Sequence, residues 1–178
     1  EDFSQSYWTK SGLLAPTSGF VSPDGTSNAF KLVEDTSTGS HRVRAIGVSV
    51  TSGNDYTFST FVKSNNRDWV FLNPTSWSPF SGGSPWAYFD LTNGIVGTTG
   101  SGVVADIKAF PNNWYRISIK VSCISTFSNN GIEIITANAD NSNSYTGDGT
   151  SGVHIFGAQV EQGSYATSYI PTTSSAVT

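Results

Sequence analysis

The 178-residue chain carries few charges, and its composition excludes several classes of protein. Charged side chains make up 12% of the sequence, the formal net charge is −4, and the pI is near 4.9. Nucleic-acid binding needs clustered Lys and Arg to neutralise phosphates, so no nucleic-acid partner is expected. The single cysteine excludes an intrachain disulfide. No apolar run approaches the roughly 18 residues of a transmembrane helix, so no membrane insertion is expected.

The same composition predicts one all-β domain covering residues 1–178. Ile, Val, Phe, Tyr and Trp dominate the apolar residues and favour strands, while 18 glycines with many Ser, Thr and Asn indicate frequent turns. A chain of this length can bury a good core. The sequence begins abruptly at Glu1 without a signal peptide, which predicts a piece of a longer protein.

Apolar alternation with a period of two recurs along the chain and is interrupted by turn residues. No segment keeps a helical period, so helix content should be minimal. About ten short strands at this spacing predict an antiparallel β-sandwich, with a jelly roll as the expected topology. The predicted strands are 29–34, 43–50, 56–63, 69–72, 86–91, 95–96, 103–110, 114–122, 131–137 and 153–161. Cys123 continues the apolar face of the strand at 114–122 and should be buried.

The segment 69–90 concentrates aromatic residues around a loop. It holds three of the five tryptophans, and its middle, residues 73–85, is rich in Pro, Gly and Ser. Loops of this kind lie at the surface, and exposed aromatic patches mark binding sites. The rings therefore predict a carbohydrate-binding surface. The alternative is that the loop folds back and its rings fill one end of the sandwich.

The two strands that flank the loop carry aromatic residues at alternate positions. Trp69 and Phe71 share one strand face, and Trp86 and Tyr88 share another. If the strands pair as a hairpin, the two faces meet as one aromatic strip on which a sugar ring can stack. The alternative places Trp69 and Phe71 in the core. The residues of this segment expected to contact a sugar are Trp77, Trp86, Trp69, Phe80, Tyr88 and Asn73.

The basic cluster of His41, Arg42 and Arg44 lies at the start of a predicted strand. Arg44 alternates with the apolar positions that follow it, which can place it at a sheet end beside a groove. Arginine suits bidentate recognition of carboxylate or sulfate. Arg44 and His41 are therefore candidate ligand contacts. The alternative is a solvated or ion-paired strand end.

Three longer runs carry a resemblance to known families. They are residues 50–63 (VTSGNDYTFSTFVK), 113–119 (NWYRISI) and 152–161 (GVHIFGAQVE), in that order. Together they resemble the jelly-roll modules of carbohydrate-binding families four, nine, sixteen and twenty-two. The resemblance implies a jelly roll that binds sugar in a groove on one sheet, with a structural Ca²⁺ at the edge of the sandwich.

A closer resemblance is to domains of phage tail and particle proteins and of marine polysaccharide-degrading enzymes. Its motifs are residues 145–152 (YTGDGTSG) and 157–161 (GAQVE), followed by 168–172 (SYIPT). These motifs record strands and turns, so they specify the fold better than the ligand. The aromatic loop at 73–85 is longer than this sub-type leads us to expect.

Two groups of carboxylates are candidate calcium ligands. The oxygen-rich loop with Asp140 and Asp148 is typical of Ca²⁺ sites, although side-chain turns explain the same residues without a metal. The family resemblance implies a second set, Glu1, Asp2 and Glu161. In those families a carboxylate near the start of the final strand commonly binds the calcium. Here that stretch reaches a carboxylate only at Glu161, which weakens the expectation.

Catalytic residues are hard to assemble from this sequence. Glycoside hydrolysis uses two carboxylates, and the chain has four glutamates outside any motif that we recognise. Neither a Ser-His-Asp order nor an H-E-x-x-H motif is present. A jelly-roll lyase would use His154 as its base, but His154 shares a predicted face with Val160 and should be a core histidine.

The favoured hypothesis is a non-catalytic carbohydrate-binding module that recognises a marine or plant polysaccharide. It would be tethered to a catalytic domain, be secreted, and need no cofactor beyond the structural Ca²⁺ that the resemblance implies. The alternatives are a phage tail or particle domain on the virion surface, used for assembly or host attachment, and a polysaccharide lyase.

Overall fold

The computed structural model describes residues 2–172, which form an antiparallel β-sandwich and so confirm the predicted fold class. A 3-10 turn at Pro111–Asn113 joins two of the strands. Within residues 2–172 there is no helix with the length and apolar character needed to span a bilayer. The strands are β1 (Thr9–Ser11), β2 (Thr17–Phe20), β3 (Ala29–Val33), β4 (Thr38–Gly39), β5 (His41–Val50), β6 (Asp55–Asn65), β7 (Trp69–Pro74), β8 (Ala87–Asp90), β9 (Ile95–Thr99), β10 (Val103–Phe110), β11 (Trp114–Ser122), β12 (Phe127–Ala137), β13 (Tyr145–Thr146) and β14 (Gly152–Gln162).

Two six-stranded sheets pack face to face. Sheet I has the order β1-β5-β12-β7-β8-β9, and sheet II has the order β10-β11-β6-β14-β3-β2. The short strands β4 and β13 pair separately. Neighbouring strands within each sheet are antiparallel, and the chain passes repeatedly from one sheet to the other. Each sheet therefore has one face in the shared core and one outer face.

All ten predicted strands are present, and those at Val103–Phe110 and Trp114–Ser122 have the predicted bounds. The sequence reading missed β1, β2, β4 and β13, which have two to four residues each. Strands this short carry too few positions for an alternation pattern to be recognised. Their partners hold them in place instead: β1, for example, pairs with Arg42–Arg44 of β5.

Alternating residues of the long strands fill the core between the sheets. On β11, Ile117, Ile119 and Val121 are fully buried, as predicted, and Cys123 continues the same face. Phe58 of β6 lies opposite Ile119 in the ladder. Each fully buried side chain of this size stabilises the fold by about 1.5–3 kcal/mol relative to its exposed state.

Strand β14 changes faces at a bulge, which corrects the prediction for His154. Gly157 has a φ of +59°, and the pairing with β6 shifts between Phe156 and Gln159. Before the bulge, His154 and Phe156 face outward; after it, Val160 packs against the main core. The extra residue breaks the period of two, so His154 and Val160 lie on opposite faces. Burial lowers the pKa of the half-buried His154.

A C-terminal strap, residues 164–172, lies across the outer face of sheet II. The Tyr169 ring packs against Phe156 and Phe61, with centroid distances of 4.9 and 6.4 Å. Glu161 accepts hydrogen bonds from the backbone N–H and the hydroxyl of Thr167. The sequence after the last predicted strand predicts an extended tail that lies on the surface as far as Thr178. The structure describes this tail as far as residue 172, and the rest of the prediction lies outside the described residues.

Candidate functional site

The strands on either side of the aromatic loop form the predicted hairpin. β7 and β8 are antiparallel neighbours, with Phe71 opposite Tyr88 and Trp69 opposite Asp90. These side chains lie on the outer face of sheet I, because Val70, Leu72 and the other alternate residues face the core. The alternative that Trp69 and Phe71 face the shared core is therefore wrong. The hairpin joins the rings of the two strands into one strip.

The strip forms a compact aromatic platform. We use this name for Trp69, Phe71, Trp86 and Tyr88, together with Ile135 and Ala137 on the neighbouring strand β12, which pack beside them. The Trp86 ring lies 5.6 Å from Phe71 at an interplanar angle of 33°, and 5.7 Å from Tyr88 at 84°. Phe71 and Tyr88 are 4.7 Å apart. Phe71 and Tyr88 are buried, so the solvent-facing rings of the platform are the half-buried Trp86 and Trp69.

The Trp69 ring packs against the edge strand at a glycine. A Cβ atom at Gly97 of β9 would come within 2.6 Å of Cζ3 of Trp69, so the absence of a side chain lets the indole lie against the β9 backbone. Asp140 also reaches β9, where it accepts hydrogen bonds from the backbone N–H and the hydroxyl of Thr98, at 2.9 and 2.8 Å.

Burial and the nearby Asp140 charge raise the pKa of Tyr88, which keeps its hydroxyl protonated.

Polar and charged side chains continue the platform across sheet I. Asn73 of β7 lies opposite Glu133 of β12, which lies opposite Arg44 of β5. The Asn73 amide donates to Glu133 at 3.1 Å, and Arg42 pairs with Glu133 at 3.3 Å. Asn73 Oδ1 is buried and has no hydrogen-bond partner within residues 2–172. One outer face therefore presents indole rings beside two arginines and a carboxylate.

The loop at 73–85 divides into an exposed part and an anchored part. Trp77 is 39% exposed, as the binding hypothesis requires. Phe80 is 1% exposed, and its ring packs edge-on against Phe58 with a centroid distance of 5.9 Å. Its backbone forms an isolated antiparallel β-bridge with Cys123. The prediction that Phe80 contacts ligand is therefore wrong. The alternative reading, in which a loop ring fills the end of the sandwich, holds for Phe80 and not for Trp77.

Three other candidate contacts are buried. His41 is fully buried, and its ring nitrogens lie 2.5 Å from the Gly12 carbonyl and 3.2 Å from the Tyr145 carbonyl. Asn73 and Tyr88 are 3% and 4% exposed. The prediction of direct ligand contact is wrong for His41, whose strand position faces inward like Val43. Asn73 and Tyr88 lie on the predicted face but beneath its surface, where they support Glu133 and Trp86.

The candidate calcium ligands are engaged in local hydrogen bonds. Asp2 accepts from Ser4 and Gln5. Asp148 accepts from the backbone and hydroxyl of Ser151, and these bonds lower its pKa. Asp140 and Glu161 bind Thr98 and Thr167 as described above, and Glu1 lies outside the described residues. Among residues 2–172 no three His, Cys, Asp or Glu side chains form a group suited to a metal ion.

Sequence reasoning missed the contribution of β12 to this face. Glu133 is the one carboxylate of the predicted strand 131–137, and the structure shows that it links Asn73 and Arg42. A signal was present: in the run 132–137 (IEIITA) the apolar residues Ile135 and Ala137 occupy outward positions, and Ile132 and Ile134 occupy inward ones. A strand that is apolar on both faces has a second apolar surface to pack.

Comparison with known proteins adds little to this description. No protein-family model matches the chain, and the search of curated proteins found no match. Among solved structures, an arabinose-bound GH51 α-L-arabinofuranosidase, MgGH51, is similar with a TM-score of 0.49 and 14% identity. The match covers 87% of this chain and 23% of the length of that protein. At these values the likeness carries no argument about function.

Proposed function

We propose that this chain is a carbohydrate-binding module that holds a polysaccharide against the aromatic platform of sheet I. The supporting observation is the pair of half-buried indoles, Trp86 and Trp69, placed on an outer sheet face beside Arg42, Arg44 and Glu133. Indole faces cover the apolar faces of pyranose rings, and charged side chains bind their hydroxyls.

The packing of the platform supports this role. Phe71 and Tyr88 are buried under Trp86 and fix its ring at defined angles. A ring fixed in this way loses little conformational entropy when a ligand binds, which favours affinity. The Arg42–Glu133 pair likewise holds two charged groups in position at the edge of the platform. Trp77, on the exposed part of the loop, is a further candidate contact.

The domain is proposed to act without catalysis. Each described glutamate has a structural partner: Glu34 pairs with Arg67, Glu133 with Arg42, and Glu161 accepts hydrogen bonds from Thr167. Glycosidases instead use two carboxylates placed on either side of the scissile bond. Incubation with the bound polysaccharide should therefore release neither reducing ends nor unsaturated products, and appearance of either would contradict this part of the proposal.

The module is proposed to be part of a secreted polysaccharide-degrading protein. It is proposed to bind its glycan without requiring a metal, and neither nucleic-acid binding nor membrane insertion is proposed for it. Its surface supports an extracellular setting, since only 12% of residues are charged and hydroxyl and amide side chains are abundant. The alternative, a phage tail or particle domain, predicts a stable oligomer. Light scattering should show a monomer for the module, and a stable trimer would favour the particle role.

Affinity electrophoresis in gels containing soluble plant and marine polysaccharides tests the binding. The protein should be retarded by at least one neutral polysaccharide, and Trp86→Ala should weaken that binding by about tenfold or more. Because Trp86 lies outside the main core, the variant should keep its fold, which circular dichroism checks. Absence of retardation on every neutral and acidic polysaccharide would overturn the proposal.

A matched control lies on the other sheet. Tyr165 is 71% exposed and belongs to the strap on sheet II. Tyr165→Ala should leave retardation on the neutral polysaccharide unchanged, whereas Trp77→Ala measures the separate contribution of the loop. If Trp86→Ala and Tyr165→Ala behaved alike, the platform would not be the site.

A further inference from the structure

The outer face of sheet II contains a groove that the proposed function does not use. The groove has a volume of about 310 Å³ and lies between the outer faces of β10 and β11 and the strap residues 164–166. This volume is near the lower limit for small-molecule sites, which suits one or two sugar rings. The platform lies on the outer face of the other sheet, so the two sites can be tested separately.

The lining of the groove is positive although the chain is acidic. Lys108, Arg116 and Lys120 line it, and Asp106 is the carboxylate among its lining residues. Three of the nine Lys and Arg residues of a chain with a net charge of −4 therefore meet at one place. The ladder explains the clustering, because Lys108 is directly opposite Arg116 on neighbouring strands. Such a concentration of positive charge favours an anionic ligand.

Arg116 is fixed before any ligand arrives. Its guanidinium donates to the carbonyl of Thr167 in the strap and to the hydroxyl of Ser59, and it lies 5.3 Å over the Phe61 ring. Lys120 is held by Asp55 at 3.2 Å. Lys108 makes no ion pair within the described part of the chain. Its ammonium lies 5.9 Å from the centroid of the Phe110 ring, and its charge is available to a ligand in a groove whose other cations are already positioned.

The remaining lining residues suit a sugar ring rather than a bare anion. Tyr165 is 71% exposed, and Phe110 is half-buried on β10, so two aromatic side chains line the groove. The polar residues Ser118 and Ser164 also line it. Aromatic faces and hydroxyl groups recognise the faces and rims of pyranoses. The negative charge of Asp106 disfavours a ligand that carries several negative groups around its ring.

We propose that this groove binds a uronic-acid unit of an acidic saccharide, with the sugar carboxylate at Lys108 and the ring against Tyr165. Because Asp55 pairs with Lys120 and Asp106 also lines the groove, the three cations leave a small net positive charge, which matches one carboxylate per ring. A densely sulfated chain would instead meet Asp106 and the net negative charge of the protein. The proposal holds whether or not the platform of sheet I binds neutral glycan, because it depends on different residues.

Amide chemical-shift titration of the ¹⁵N-labelled chain tests the proposal. The probes are trisaccharides of galacturonate, glucuronate and mannuronate, with neutral galactotriose and sodium acetate as controls. At least one uronic trisaccharide should shift amides of β10, β11 and residues 164–166. Its affinity should fall as salt is raised, because salt screens the charge interaction. Galactotriose and acetate at equal concentration should leave these amides unchanged.

Variants separate the two sites. Lys108→Ala should weaken the binding of the uronic trisaccharide by about tenfold. Lys63→Ala, on the same outer face but outside the groove lining, is the matched control and should leave the affinity unchanged. Trp86→Ala should weaken binding to neutral polysaccharide by about tenfold or more and leave the uronic titration intact, so failure of the groove and failure of the platform give different results.

Three outcomes would overturn the groove proposal. The first is that none of the three uronic trisaccharides shifts the groove amides. The second is that acetate alone reproduces the shifts, which would indicate an ion effect without sugar recognition. The third is that Lys108→Ala binds as tightly as the unaltered chain.

Discussion

Glu34 has a buried carboxylate whose two oxygen atoms both accept hydrogen bonds. It is fully buried and accepts two hydrogen bonds from the Arg67 guanidinium, at 2.5 and 3.0 Å, and one from the backbone N–H of Asp148 at 3.0 Å. Tyr145 donates its hydroxyl at 2.7 Å, and burial raises the pKa of this phenol, so it stays protonated. These bonds connect the end of β3 to residues that are distant in sequence.

Replacing Glu34 should therefore be costly. Glu34→Gln leaves the half-buried Arg67 guanidinium with only the more distant Asp148 carboxylate, at 4.0 Å, and we expect a loss of about 3 kcal/mol in the free energy of unfolding. Urea denaturation followed by tryptophan fluorescence measures it. Asp2→Asn, at an exposed turn, is the control and should change stability by about 0.5 kcal/mol or less. Equal effects of the two substitutions would contradict the structural role of Glu34.

Asp148 should make stability depend on pH in the acid range. Hydrogen bonds from Ser151 and Thr150 lower its folded-state pKa below the ordinary value of 3.8. The stabilisation is fully present above that value and is lost as the pH falls below it toward the folded-state pKa. Asp148→Asn should therefore be less stable than the unaltered chain at neutral pH, with a difference that narrows below pH 3.8. Unfolding curves across this range would contradict the prediction if the difference stayed constant.

At the scale of elements, the loop between β7 and β8 is held by one ring and exposes another. Phe80→Ala should cost about 3–4 kcal/mol, because it removes a buried ring and leaves a cavity beside Phe58. Trp77→Ala should cost about 0.5 kcal/mol or less, since that side chain is exposed. Thermal unfolding of the two variants compares them directly. A larger loss for Trp77→Ala would mean that the loop packs differently.

The β14 bulge is a second element whose geometry can be tested. Gly157→Ala places a side chain at positive φ, where it costs about 1–2 kcal/mol, and its Cβ would lie 3.0 Å from the Tyr169 ring. Gly83→Ala is the matched control, since Gly83 has a φ of +70° and open space around it. Denaturant unfolding should show the larger loss for Gly157→Ala. Equal losses would mean that the strap adjusts without cost.

For the whole molecule, the two outer faces differ in how they are covered. Each carries an aromatic cluster, but the strap covers the Phe61 and Phe156 cluster of sheet II with Tyr169, and the platform of sheet I is covered by its own Trp69 and Trp86. One cluster therefore serves mainly the stability of the domain. The other presents indole rings to solvent, which is why the proposed polysaccharide binding is assigned to it.

The strap predicts a contrast between two substitutions of Tyr169. Tyr169→Ala should lower the free energy of unfolding by about 2 kcal/mol and increase the binding of an apolar dye, because it uncovers the sheet II cluster. Tyr169→Phe should be neutral or slightly stabilising, since the hydroxyl is buried without a hydrogen-bond partner within residues 2–172. Calorimetry and dye fluorescence measure both, and a neutral Tyr169→Ala would contradict the covering role.

Much of the fold could be predicted because strand alternation is a local property. The faces of β11 follow from residues two apart, and so does the hairpin strip of Trp69, Phe71, Trp86 and Tyr88. Whether an individual aromatic ring is buried or exposed was less predictable. Phe80 and Trp77 lie three residues apart in one loop, and contact with Phe58 of β6 and with Cys123, just after β11, distinguishes them.

The sequence by itself determined that this chain forms an antiparallel sandwich and which residues alternate on most of its strands. Only the tertiary structure decided that His154 faces away from the core, that Glu133 joins Asn73 to Arg42, and that the strap covers the aromatic cluster on the outer face of sheet II. The physical reason is the separation along the sequence between the residues that must interact. Alternation is fixed by neighbours along the chain, whereas a bulge, an ion pair or a covering segment depends on which distant strands become partners.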